Sequence, residues 1–299
     1  MRRAVLWLGL VLPVVVAVSL LGLALASLPR VRAMAESDRL AGRAQELAGA
    51  GDLTAARKAI EQALALAPDN PRARRELAMQ LIAERKLAEA VEELRAVVRA
   101  RPGDAGAARE LGAALAVSGD TREALAWFRR AVAMEPRSGV NRTALARALL
   151  ALKRTAEARR EAESGAALAP QVPEAIIVLG LARWAEGERA GAEAAFRKVM
   201  VLRPSDADAA VFLARIAAER GDGEEAVRHL RRVVALKPRS VTAWVALGRM
   251  LLLCQRPREA EEALHRALAL EPGNAEAQRG LQAVAAAATR PGARSRELK

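Results

Sequence analysis

The chain has no Tyr, three Phe and four Trp in 299 residues, so aromatics make up only 2% of it. Its apolar content, 52%, is mostly Ala, Leu and Val, which leaves few of the residues that strands favour and predicts an all-α protein. A single cysteine, Cys254, excludes an internal disulfide and a cysteine-based metal site. His229 and His265 are the only histidines and stand far from Cys254, so they are expected to be surface residues, not metal ligands. The paired carboxylates at Glu92 and Glu93, Glu224 and Glu225, and Glu261 and Glu262 lie beside Arg and Lys, as on a solvated helix face. Glycine-rich phosphate loops, zinc spacings and nucleophile elbows are missing. The expectation is a protein that is not an enzyme and has no catalytic, cofactor or metal site.

The net charge is +13, yet no basic arm accounts for it. Nucleic-acid binding calls for clustered Lys and Arg interleaved with stacking aromatics, and neither pattern occurs, so no nucleic-acid partner is expected.

One long uncharged run is present, from Ala4 to Leu28. Its 25 residues exceed the roughly 20 that carry a helix across a bilayer, which predicts one transmembrane helix. Arg2 and Arg3 precede the run and Arg30 and Arg32 follow it. A short tail bearing two Arg is normally held on the cytoplasmic side, which would place the remaining residues outside the cytoplasm of a bacterium, anchored in the inner membrane. A signal peptide cleaved after Ala26 is the alternative, because Ala24 and Ala26 form a small-x-small site.

Prolines set the rest. Pro68, Pro102, Pro136, Pro170, Pro204, Pro238 and Pro272 stand 34 residues apart, the mark of stacked supersecondary units. With each Pro at position 32, the units run 37–70, 71–104, 105–138, 139–172, 173–206, 207–240 and 241–274. Position 20 is then Ala in every unit, from Ala56 to Ala260, and position 8 is always Ala or Gly. Small residues in two columns predict a close crossing between the two helices of a unit. Position 15 is Gly in four units, where the first helix should end. Position 34 is Asn, Asp or Ser in every unit except the fourth, where Val172 replaces the helix cap. The fourth unit also has Ala162 at position 24 and Gly165 at position 27, which predicts missing bulk and a soft point.

These columns resemble the tetratricopeptide repeat (TPR) family: a bulky residue at 4, Leu at 7, small at 8, Ala at 20, an aromatic or Leu at 24 and Pro at 32. The seventh unit fits best, with Trp244, Leu247, Gly248, Ala260, Leu264 and Pro272. Arg74 and Arg142 at position 4 and Arg183 at position 11 depart from the pattern and suggest local loosening. The resemblance implies a right-handed α-solenoid of seven helix-turn-helix repeats. Before them would lie the transmembrane helix and linker over 1–36; after them, a capping helix over 275–289 and a disordered basic tail over 290–299.

It also implies that first helices line an inner wall through positions 2, 5, 9, 12 and 13. Those positions hold Arg75, Arg109, Arg147, Arg215 and Arg249, with Leu150, Ile177, Leu181, Trp184 and Leu252 among them. Ile177, Leu181 and Trp184 fall on one helical stripe. Packing within the chain explains that stripe as well as a ligand groove does, and the sequence leaves both open. The function expected is a membrane-tethered adaptor that binds an acidic or apolar segment of a protein or peptide partner. Self-association into a scaffold, or service as an accessory subunit of an envelope enzyme complex, are the alternatives.

Overall fold

The computed structural model describes residues 29–288, so the apolar run before Pro29 and the tail from 289 lie outside the described residues. Among the described residues there is no strand, and no helix is long and apolar enough to cross a membrane. The chain divides into two compact units, one ending at Pro136 and the other beginning at Arg137.

The first unit holds three helix pairs: α1 (Pro29–Gly49) with α2 (Leu53–Leu66), α3 (Pro71–Ala83) with α4 (Leu87–Ala100), and α5 (Ala105–Ser118) with α6 (Thr121–Met134). Residues 29–36, assigned to a linker by the repeat pattern, are already helix, because nothing between Pro29 at the start of α1 and Gly49 breaks it. The second unit holds four pairs and a closing helix. These are α7 (Gly139–Ala151) with α8 (Thr155–Leu168), α9 (Pro173–Ala185) with α10 (Arg189–Leu202), α11 (Ala207–Glu219) with α12 (Gly223–Leu236), α13 (Val241–Leu253) with α14 (Pro257–Leu270), and then α15 (Ala275–Ala288).

Each pair is seated where the small columns cross. All seven alanines of position 20 are wholly buried. Where position 8 is glycine, the bulk of position 24 fills the space a side chain would need. A Cβ on Gly112 would stand 3.0 Å from the Phe128 ring, one on Gly180 2.9 Å from Phe196, and one on Gly248 2.6 Å from Leu264.

Caps follow the sequence closely. Asn70, Asp104, Ser138, Asp206 and Ser240 each accept a backbone N–H in the first turn of the next helix, while Val172 provides no such bond to α9. Asn70 does more. Its Nδ2 donates to Ser37 Oγ at 2.7 Å and Asp38 Oδ1 at 2.8 Å, and Ser37 in turn donates to the Ala63 carbonyl at 2.8 Å, which satisfies two wholly buried polar side chains.

Three expectations change. First, the left-handed turn at position 15 is not confined to glycine: Arg85, Lys153 and Gln255 adopt it at φ 64°, 57° and 59°, alongside Gly51, Gly119, Gly187 and Gly221. The linkage between paired helices demands that conformation whatever the residue.

Second, the arginines at position 4 brace the array instead of loosening it. Arg74 Nε donates to the Pro68 carbonyl at 2.9 Å, as Trp244 Nε1 does to Pro238 at 3.0 Å. Arg74 and Arg142 also reach Glu93 and Glu161 on the second helix of their own pairs, each at 2.7 Å. Arg183 is likewise engaged, 3.6 Å from Glu163 and 3.9 Å from Glu188.

Third, the fourth repeat is not missing bulk at Gly165. A Cβ there would lie 2.9 Å from Thr143 Oγ1, and one on Gly139 would lie 2.9 Å from the Gly165 carbonyl. The glycines let the backbones of α7 and α8 close on each other.

Two glycine exchanges in this repeat should therefore act in opposite directions. Lys153→Gly relieves a left-handed side chain and should raise stability by about 1 kcal/mol. Gly165→Ala should lower it by about 1–3 kcal/mol through overpacking, despite alanine's better helix propensity. Urea titration of both variants checks this, and a stabilising Gly165→Ala would show that the helices have slack.

Candidate functional site

The inner-wall residues predicted for the first unit are already engaged. Arg75 on α3 hydrogen-bonds the Glu110 carboxylate on α5 and stands 4.0 Å from Asp104, while Arg109 stands 4.0 Å from Glu110. The Glu110 bond, working against burial, raises the Arg75 pKa. Burial raises the neighbouring Glu76 carboxyl in spite of Arg75 and Arg72. These groups form an inter-helix brace.

In the second unit the predicted residues behave differently. Leu150 packs beside Ala146, Ala162, Val178 and Ala182, and Ile177 and Leu181 pack against a core around Ile176, Phe196, Val199 and Ile216. All three are half-buried, so part of the stripe serves the fold. Arg147, Arg215 and Arg249 are exposed. The Arg203 hydrogen bond, first, and Arg147's field, more weakly, hold the Glu174 carboxyl below its ordinary range.

Trp184 is the centre of a distinct cluster. It lies in the last turn of α9, and its ring reaches α11, where Phe212 meets it edge-on with centroids 6.2 Å apart. Phe212 stacks in turn on the wholly buried Phe196, at 4.7 Å and 5°. The indole thus rests on an aromatic column rising from the core. Two guanidiniums cover it: Arg189 lies 3.9 Å from the ring centroid and Arg215 4.9 Å from it. Cation–π contacts of this kind contribute about 0.5–1 kcal/mol each when exposed.

Gly187, at φ 84°, turns the chain so that α10 starts back beside the end of α9. Arg189 Nη1 can then donate to the Trp184 carbonyl at 2.7 Å. Glu219, at the end of α11, ties the cluster together: its Oε2 accepts from Arg189 Nε at 2.7 Å, and its Oε1 is 3.6 Å from Arg215 Nε. Two guanidiniums share one carboxylate, so the indole sits in a positively charged setting.

The sequence singled out Trp184 and Arg215, and Glu219 stands at position 13, one of the five positions ascribed to the inner wall. It missed Phe212 and Arg189, which stand at positions 6 and 17, outside the five positions ascribed to the inner wall. The one available signal was spacing: Arg189 follows Trp184 by five residues across a glycine turn.

Other chemistry-bearing residues are dispersed. His229 and His265 each stand beside a glutamate one turn away, Glu225 at 3.7 Å and Glu261 at 3.8 Å. Burial, opposed by Glu225, lowers the His229 pKa. Among the described residues no three His, Cys, Asp or Glu side chains stand close enough together to hold a metal ion.

Comparison with known proteins agrees with the periodicity. One tetratricopeptide repeat model matches residues 115–179, 183–251 and 217–285, and a second matches 42–105 and 77–139. The chain belongs to the tetratricopeptide repeat family. No curated protein matches this TPR chain in sequence.

Solved structures share its fold. PilW, a type IV pilus biogenesis factor, is 18% identical with a TM-score of 0.65, over 71% of this chain and 98% of that one. YrrB, described as a TPR protein with an unusual peptide-binding site, is 16% identical with a TM-score of 0.53, over 64% of this chain and 99% of that one. A chain of the APC/C Cut9–Hcn1 hetero-tetramer is 16% identical with a TM-score of 0.64 over 83% of this chain, which spans 46% of the length of that one. At such identities the likeness shows the fold alone, an all-α helical repeat.

If Glu219 ties the two guanidiniums over the indole, Glu219→Gln should shift the Trp184 indole N–H resonance while those of Trp127 and Trp244 stay in place. Nitrogen-15 spectra of the labelled protein give the answer, and an unmoved Trp184 signal would show that the arginines hold the ring without Glu219.

Proposed function

We propose that this TPR chain is a non-catalytic interaction module, tethered to a membrane by its N-terminal apolar run. It holds an extended acidic and apolar segment of a partner protein during complex assembly. The observation that carries the reading is the Trp184 cluster, a half-buried indole on a rigid aromatic base with Arg189 and Arg215 beside it. Tryptophan and arginine dominate binding hot spots because they combine large apolar area with directed polar contacts. An apolar side chain could lie against the indole edge, Leu181 and the exposed Val211, while a flanking carboxylate competes with Glu219 for the guanidiniums.

Within the first unit, Arg75 and Arg109 are spent on Glu110, so the reading centres on the second unit. Peptide binding is described for YrrB, but that likeness supports the fold; the side chains around Trp184 support the ligand. The tether rests on the 25 uncharged residues from Ala4 to Leu28 and on Arg2 and Arg3 ahead of them.

Selection of random short peptides displayed on phage, with the full chain in detergent micelles as bait, should enrich an apolar residue flanked by Asp or Glu. Trp184→Ala should weaken the synthesised peptides by about 2 kcal/mol, roughly thirtyfold, with circular dichroism confirming the fold. Arg215→Glu should slow association and remove much of its salt dependence. Failure to enrich any sequence, or binding unchanged in both variants, overturns the site. Reporter fusions after Ala35 test the tether, and activity only of the cytoplasm-dependent reporter overturns the extracytoplasmic placement.

A further inference from the structure

The closing helix α15 does more than cover the last repeat. It descends on α14 through Ala277, Gly280, Leu281 and Val284, and a Cβ on Gly280 would come within 2.8 Å of Leu264. The same Leu264 side chain lies under Gly248 of α13. One leucine therefore seats two glycines on two helices, and α13 and α15 are drawn toward each other at their buried edges.

Their outer edges leave a groove of about 750 Å³, lined on one side by Arg249, Leu252 and Leu253 and on the other by Arg279, Gly280 and Ala283. That volume falls within the roughly 300–1,000 Å³ typical of small-molecule sites, although this groove is open along one side. Leu253, 76% exposed, adds apolar surface to the rim of this groove.

The charges are as informative as the apolar surface. Many arginines of the second unit are tied to carboxylates, among them Arg203 to Glu174, Arg197 to Glu225 and Arg256 to Glu224. Arg249 and Arg279, one on each wall, form no ion pair among the described residues; Arg279 Nε donates only to the Ala275 carbonyl, at 3.3 Å. Glu276 also lines the groove, so its wall charge remains positive. Arg249 occupies position 9 of its repeat, as Arg215 does one repeat earlier beside Trp184.

We propose that the groove between α13 and α15 is a second subsite for the same partner segment. It would take an apolar side chain against Leu252, Leu253 and Ala283, with carboxylates of the segment reaching Arg249 and Arg279. This rests on the reading of the Trp184 cluster as the first subsite and gives the bound segment two anchors, each an apolar residue with an acidic neighbour.

The test uses the full chain and the peptides enriched in the phage selection, titrated against Leu253→Glu, Arg279→Glu and the milder Arg279→Gln, with circular dichroism as the fold control. These peptides should bind each Glu variant at least tenfold more weakly, with Arg279→Gln between those and the unaltered chain. Peptides that lose affinity with Trp184→Ala but not with the groove variants would overturn the second subsite and leave the first standing. Peptides indifferent to all of them would overturn both. Two further results would assign the groove another occupant and so overturn the proposal: tighter binding by a chain ending at residue 288, which would mean that its own end fills the groove, or a dimer in light scattering that Leu253→Glu dissociates.

Discussion

Every helix pair depends on how closely two backbones can approach at one crossing. Position 20 is a wholly buried alanine seven times over, and position 8 opposite it never exceeds a methyl group. Once the backbones touch there, the large side chains on either side have fixed volumes to fill. Phe128, Phe196 and Leu264 lie directly over the glycines at position 8 because a side chain on those glycines would occupy the same space. The periodicity of the sequence is thus a periodicity of permitted distances, with hydrophobicity following from it.

Between neighbouring pairs, charge adds to packing. Arg95 reaches Glu123 at 2.8 Å and Arg197 reaches Glu225 at 3.1 Å, in each case from one second helix to the next; Arg231 and Glu259 repeat the bond. Exposed pairs of this sort contribute about 0.2–1 kcal/mol each, so their use lies in fixing the alignment of successive repeats more than in holding them together.

Most of the fold could be read from the columns because its rules are local and recur every 34 residues. Caps at Asn70, Asp104, Ser138, Asp206 and Ser240 fell where side-chain chemistry put them. Arg74 and Arg142 were harder, since a charged residue in an apolar column looks like a defect until its partner is known. A guanidinium can supply bulk through its stem and donors at its tip, and Arg74 uses both against Pro68 and Glu93. The left-handed turns at Arg85, Lys153 and Gln255 were hidden for the opposite reason, because tertiary linkage overrides what those residues prefer alone. At the candidate site, a linear list of inward positions found Trp184 and Arg215 but could not show the chain folding back to bring Arg189 over the ring. Nor could it show Glu110 engaging Arg75 and lying near Arg109.

A chain of near-identical repeats faces a hazard that ordinary domains avoid: any first helix can pair with the second helix of a different repeat and find an almost equivalent partner. The Gly139–Gly165 approach removes that equivalence for α7. Val97, Ala131, Val199, Val233 and Ala267 occupy the place of Gly165 in other repeats, and each carries a Cβ that the close path of α7 leaves no room for. The repeat with the smallest side chains at positions 24 and 27 therefore still selects its partner. That selectivity turns an apparent weakness in the sequence into a bias against pairing α7 one repeat out of phase.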